Sequence, residues 1–492
     1  TQDPNKKTAG EITGNMFAYL GTFIRRVQVT YRETESLTAP GFFPQAGFMG
    51  QDIKATGGSA PGFDFAFGFF PNNWVDKAQK NNWVKGDSTV IQPITRAKTT
   101  DFDVKLTLEP LPGLKIQVNG KRYLANTSTI TLQDGQNPIE NMNGSFNISS
   151  VALATMFTKI GTQEDNFANS AFDQFLRNRD VLQDRVQSQY NDVNLPRQGF
   201  MRDLPNDQKY VVGVNGLPVS RNSADVLIPA FLAAYTGRDV NKISMNPFLG
   251  ILKILPNWSV TYDGLSKLPG IRDHFRSFSL THAYVCKYSI GSYSSHSSWV
   301  GANGIEDKQI GFIRDVSTGL PMPSSSYDIT NVTLSENFSP LIGLNMSLKN
   351  SLNCKFEYRK QRNLAMNITS VQITEGHTDE FVIGAGYTIK NLNFVTKNKN
   401  GVQKKVSNDL KLNVDVSYKD IKTLMRKVEE NLTQASSGNK MWTLKLSADY
   451  VLSQKVSLQL FYDHESTFPL ISSSYPVKSD NVGLNIKLML TR

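Results

Sequence analysis

Cysteine is nearly absent. Cys286 and Cys354 are the only two in 492 residues, and they lie far apart, so they form neither a disulfide framework nor a zinc-spaced cluster. Long apolar runs are missing too. The longest, VLIPAFLAAY at 226–235, falls short of the roughly 18 residues a membrane-spanning helix needs and contains Pro229. That excludes a helical membrane protein. A strand-built one stays open, because half of each barrel strand is polar and its signal per segment is weak. Histidine is sparse, and His274, His282, His296, His377 and His464 show no H-E-x-x-H spacing. GAGY at 384–387 lacks the rest of a dinucleotide fingerprint, and strand packing explains its glycines better. The serines around His296 in SYSSHSSW have no G-x-S-x-G elbow and no orienting acid. His464 and Glu465 read as a solvated pair at a strand end. The expectation is a chain that is not an enzyme, with no catalytic residue, metal ligand or cofactor site.

The net charge of +10 and pI of about 9.2 are spread along the chain. The densest basic pieces, KNKNGVQKK at 397–405 and KDIKTLMRK at 419–427, lack the interleaved stacking aromatics of a nucleic-acid surface. No nucleic acid is expected as a partner; anionic headgroups or lipopolysaccharide remain candidates. The opening TQDPNKKTAG has no basic n-region, apolar h-region or starting Met, and reads as the C-terminal part of something longer.

What the chain does have is alternation. In DFDVKLTLEPLPGLKIQVNG, at 101–120, Phe102, Val104, Leu106 and Leu108 alternate with Asp103, Lys105 and Thr107. Pro110, Pro112 and Gly113 then supply a turn, and Leu114, Ile116 and Val118 resume the pattern. The pattern recurs along the chain. Residues 341–373 are expected to hold three strands, with apolar sets at 342–348, 352–358 and 364–368. Phe381 to Ile389 and Leu410 to Tyr418 follow. The last three sets run from Trp442 to Tyr450, Val456 to Tyr462 and Val482 to Leu490. Alternation alone fits a two-layer sandwich with one wet face equally well.

Three features favour a barrel. The strands are expected to run about 9–12 residues, enough to cross an outer membrane when tilted. Aromatics bracket the apolar faces, Trp442 and Tyr450 enclosing Leu444, Leu446 and Ala448. Connections alternate, tight at 452–455 and long at 420–440 and 464–479, with 391–407 longer than the rule expects. The expected fold is therefore all-β: the C-terminal portion of a large antiparallel transmembrane barrel with a helical insertion. Asp103, Lys105, Asn413, Asp415, Lys445, Asp449, Asn485 and Lys487 are expected to face the lumen. Leu106, Leu108, Leu444, Leu446, Leu458 and Leu460 would face lipid, and Tyr387, Tyr418, Trp442, Tyr450 and Tyr462 the membrane interfaces.

Between 154 and 256 the strand signal fades. SAFDQFLRNRDVLQDRVQSQ, at 170–189, reads as a helix capped by Ser170 with Asp173 three residues on. Its stripe is Phe172, Phe175, Leu176, Leu182 and Val186. A second helix, ADVLIPAFLAAYTG, ends at Gly237. The organisation is thus barrel strands at 1–153, a helical or irregular insertion at 154–256 that lines, plugs or caps the barrel, and barrel strands at 257–492.

Longer strings carry a resemblance. DVLIPAFLAAYTGRD, PNWSVTYDGLSKLPG, SENFSPLIGLNMSLKN, EYRKQRNLAMNITSVQITE, FVIGAGYTIKN, NDLKLNVDVSYKDIKTLMRKVEEN and SSSYPVKSDNVGLNIKL, with EPLPGLKI in the opening hairpin, resemble the C-terminal part of the SprA/Sov family. The resemblance covers essentially the whole chain. It implies a translocon of the type IX secretion system, tied to gliding motility, in the bacterial outer membrane with a periplasmic C-terminus. Such a translocon is a single-chain barrel of about 36 strands that passes folded cargo, of which this chain would supply roughly a third to two-fifths. The implied partners are the N-terminal remainder of the barrel, a PorV-like shuttle barrel, a periplasmic plug protein and cargo with a C-terminal signal domain. Two other readings stand beside it: a porin or receptor barrel for small solutes, and a soluble β-sandwich adhesin.

Overall fold

A computed structural model describes residues 23–84, 92–132, 138–195, 208–296, 298–302, 310–397, 403–453, 456–471 and 474–488. The expected turn residues 454 and 455, residues 398–402 of the first basic piece, and Leu490 lie outside them.

The chain is all-β, built on one fourteen-stranded antiparallel sheet. Its strands in chain order are β1 (Ile24–Thr38), β2 (Ile94–Leu111), β3 (Leu114–Thr131), β4 (Ile139–Ser149), β5 (Asn257–Tyr262) and β6 (Phe275–Ser295). A separate three-stranded sheet holds β7 (Val300–Gly301), β8 (Gly311–Arg314) and β9 (Pro321–Ser324), and the short β10 (Tyr327–Ile329) pairs with β6. The wall continues with β11 (Asn331–Leu348), β12 (Leu352–Asn367), β13 (Gln372–Lys397), β14 (Gln403–Lys427), β15 (Leu432–Ser453), β16 (Val456–Pro469) and β17 (Val477–Leu488). Order in the sheet follows order in the chain, the arrangement hairpin connections produce. Among the described residues β1 pairs only with β2 and β17 only with β16, so the sheet has two free edges.

The strands are longer than their alternation predicts. β13, β14 and β15 have 26, 25 and 22 residues. The apolar sets at 352–358 and 364–368 lie on the single strand β12, with Leu352 facing Tyr387 and Met366 facing Ile373. The expected long loops at 420–440 and 464–479 are mostly strand, leaving only 428–431 and 470–476 outside it. The 391–407 connection likewise shrinks to 398–402 between β13 and β14. These errors share a cause: polar and charged residues on both faces hide a strand whose ladder continues regardless. The long connections are instead 39–93 and 296–330, at the same end of the wall as the turns at 368–371 and 428–431. At the other end the hairpins are tight. Gly113 turns the chain between β2 and β3 at φ +85°, and a Cβ there would strike Asp263 and the Gly264 amide, so glycine is required.

β4 and β5 share one track in the wall. β4 pairs β3 at 122–131, and β5 pairs β3 at 114–119, both flanked by β6 on the other side. The helical insertion leaves this track at Ser149 and returns at Asn257. Asn257 donates to the Ser149 hydroxyl at 3.2 Å, and the Leu255 amide donates to the Ser149 carbonyl at 3.2 Å. The long helix Ser170–Gln189 is capped by Asn169 rather than Ser170, its side chain accepting the amides of Ala171 and Phe172. The expected stripe is right: Phe172, Phe175, Leu182 and Val186 are buried and Leu176 packs beside them. The apolar helix Ala224–Thr236 is buried along nearly its whole length and stops at Gly237, φ +67°, a left-handed position that suits glycine.

Candidate functional site

Pairing without parity change from strand to strand defines two faces of the wall. In β14, Leu410, Leu412, Val414, Val416 and Tyr418 share a face with Leu446 and Leu444 of β15 and with Ile383 and Phe381 of β13. Leu106 and Leu108 stand with Val118 and Ile116, and Leu458 and Leu460 with Tyr450 and Ala448. All six leucines expected to face lipid therefore belong to one face. Nothing within this chain covers its lower half: Leu446 is 36% exposed and Val482 72%.

The eight residues expected to face a lumen share the opposite face. Asp415 stands opposite Lys445 and Lys411 opposite Asp449. Asn413 donates to Ser447 at 3.1 Å and to Asp449 at 3.3 Å, Asn485 donates to Gln459 at 3.2 Å, and Lys105 lies 3.4 Å from Asp103. Lys487 faces Ser457. Gly384 is small because the Asp415 carboxylate lies across it; a Cβ there would come to 2.5 Å from that oxygen.

The bare apolar band ends at a ladder of rings. Tyr358, Phe381, Tyr418 and Trp442 pair successively across β12 to β15. Tyr358 stacks on Phe381 at 4.5 Å with planes 6° apart, and Tyr418 meets Trp442 at 5.0 Å. The next residues on the same face are all charged: Lys360, Asp379, Asp420 and Lys440. From Tyr418 to Leu410 the strand advances eight residues, about 27 Å, or about 20 Å along the normal at a barrel tilt. Of the five expected interface aromatics, Tyr418 and Trp442 are in the ladder and Tyr387 is exposed on the band's far side. Tyr462 donates to Asp480, which also receives His464 at 2.7 Å, so the partner of His464 is Asp480 rather than Glu465. Tyr450 differs: it is 6% exposed, its hydroxyl donating to the Leu392 carbonyl at 3.1 Å.

Above the charged row the same face disappears under the insertion. Charged residues sit in apolar register here, a signal sequence reading passed over. Arg362 donates to Glu336 at 2.8 Å, to the Thr155 carbonyl at 2.8 Å and to the Ala152 carbonyl at 3.3 Å. Tyr284 completes the Glu336 carboxylate at 2.7 Å. Arg426 donates to Glu375 at 2.6 Å and to the Phe167 carbonyl at 3.1 Å, with its guanidinium 5.0 Å from the Phe172 ring. Arg122 donates to the Leu249 carbonyl at 2.8 Å. Arginine suits this task because one planar fork bonds a wall carboxylate and insertion carbonyls together. Within the insertion, Asp225 accepts the Ser325 amide at 2.9 Å; burial pushes its carboxyl up to about 6 against the pull of that bond.

Both cysteines are free thiols. Among the described residues no group of three or more His, Cys, Asp and Glu could hold a metal ion, and no helix is long and apolar enough to cross a membrane. The β-rich architecture is compatible with an outer-membrane barrel. No family model matches the chain, and no curated protein matches it.

Proposed function

We propose that this wall is part of an outer-membrane barrel serving protein translocation, its polar face toward a water-filled lumen and its bare apolar band toward lipid. The observation that carries the reading is the band itself. It is uncharged, about one hydrocarbon core tall, closed by a ring ladder and then a charged row, and backed by a face of paired Lys, Asp and Asn. A soluble sandwich would bury such a band against a second sheet. The free edges of β1 and β17 call for further strands, because open edges in lipid leave unpaired backbone groups costing several kcal/mol each. The N-terminal remainder of a larger barrel would supply them. The insertion packs on the outward face in this reading, so it is a collar above the lipid rather than a plug. The periplasmic end is the tight-hairpin end, where β17 finishes. Cargo with a C-terminal signal domain, a PorV-like shuttle and a periplasmic plug remain partners proposed from the resemblance alone. Membrane fractionation tests the membrane part: recovery without detergent would refute it. Retention of signal-bearing cargo inside cells depleted of the protein tests the translocation part, and undiminished secretion would refute that.

A further inference from the structure

Resting on the membrane reading, we infer that the notch between the ring ladder and the insertion holds the headgroup of a zwitterionic phospholipid, phosphate and primary ammonium together. The notch is a cavity of about 240 Å³ where Phe157 and Thr158 of the insertion overhang Lys360, His377, Asp420 and Lys422 of the wall.

Three observations converge on that chemistry. The charges are mixed and partly unspent. Lys360 is satisfied by Asp379 at 2.8 Å, whereas among the described residues Asp420 and Lys422 make no ion pair with each other or with a neighbour. Lys422 has only the Phe167 ring, at 5.9 Å. An unspent ammonium beside an unspent carboxylate complements a phosphate beside an amine, not a bare anion. The height is right as well: the cavity opens one residue beyond the ring ladder, where headgroups lie if acyl chains cover the band below. Finally the overhang is apolar. Phe157 is 56% exposed and its ring sits 5.8 Å from that of Phe338, offering cover for the glycerol region while the headgroup reaches the charges.

The test uses the intact protein extracted in neutral detergent and native mass spectrometry of lipid adducts. Phosphatidylethanolamine should be retained about tenfold better than phosphatidylcholine, whose methylated amine cannot donate, and than phosphatidylglycerol, which has no amine. Asp420→Asn and Lys422→Gln should each abolish that preference, Lys422→Arg should restore it, and Lys487→Gln on the opposite face should leave it unchanged. Equal retention of the three lipids, tighter binding of phosphatidylglycerol, or an unaltered preference in both variants would overturn the proposal. A protein recovered without detergent would instead overturn the membrane reading beneath it.

Discussion

One face of one strand does two jobs in this molecule. Below the ring ladder, Leu410 to Val416 of β14 stand bare; above the charged row, Leu424 and Arg426 of the same face are fully buried under the insertion. The period is the same in both halves, but the bare half keeps charge off the face and the covered half places Glu336, Arg362, Glu375 and Arg426 on it. The difference teaches that charge in apolar register marks where protein, rather than lipid, covers a barrel wall. A buried carboxylate needs a fixed partner, and hydrocarbon offers none.

The sharpest way to break the comparison is in the covered half. Arg362→Ala leaves Glu336 buried and unpaired and frees two insertion carbonyls, and should cost about 3–5 kcal/mol. Denaturant unfolding and proteolysis within 152–256 would measure it; an unaltered midpoint would remove the clamp from the account. Next comes the bare half. Leu446→Lys should cost about 2–4 kcal/mol in membrane assembly while its neighbour Ser447→Lys costs little, and equal damage would mean the faces are misassigned. A smaller effect concerns Asp225. Its folded-state pKa lies above that of an unfolded aspartate, so the folded protein holds the proton more tightly. The resulting stabilisation is present below about pH 4 and lost as pH rises to about 6. Asp225→Asn should remove this dependence, gaining about 1–2 kcal/mol at pH 7 relative to its effect at pH 4; parallel stability profiles would contradict it. The smallest is on the polar face. Asp415→Asn, at an exposed cross-strand position, should change stability by about 0.5 kcal/mol or less, and a larger loss would mean that this face is not solvated.

Period-2 alternation made the wall legible, together with the side of each of the fourteen leucines and polar residues singled out on it. The Phe172-to-Val186 stripe and Gly237 did the same for the two helices. Strand length was not legible. Leu364 and Met366 looked like a new strand because Lys360, Gln361 and Arg362 interrupt the apolar series, yet the Lys360–Asp379 and Arg362–Glu336 pairs are what let the ladder run through them. Tyr450 was misjudged for a related reason: its hydroxyl finds a carbonyl on a strand two positions away, which no local pattern announces. The placement of the insertion depends on pairing across more than two hundred residues, from Ala152 to Arg362, and a single strand's periodicity holds no trace of it.

The meeting of Ser149 with Asn257 carries a consequence for how such a wall can change over time. Because the two ends of the insertion touch within a single stave, its length and content can vary freely without shifting any neighbouring stave by even one residue. A collar of this kind can be enlarged, exchanged or lost while the barrel's hydrogen-bond accounting stays closed. Novelty at the cell surface is thereby uncoupled from the geometry that keeps the wall in the membrane.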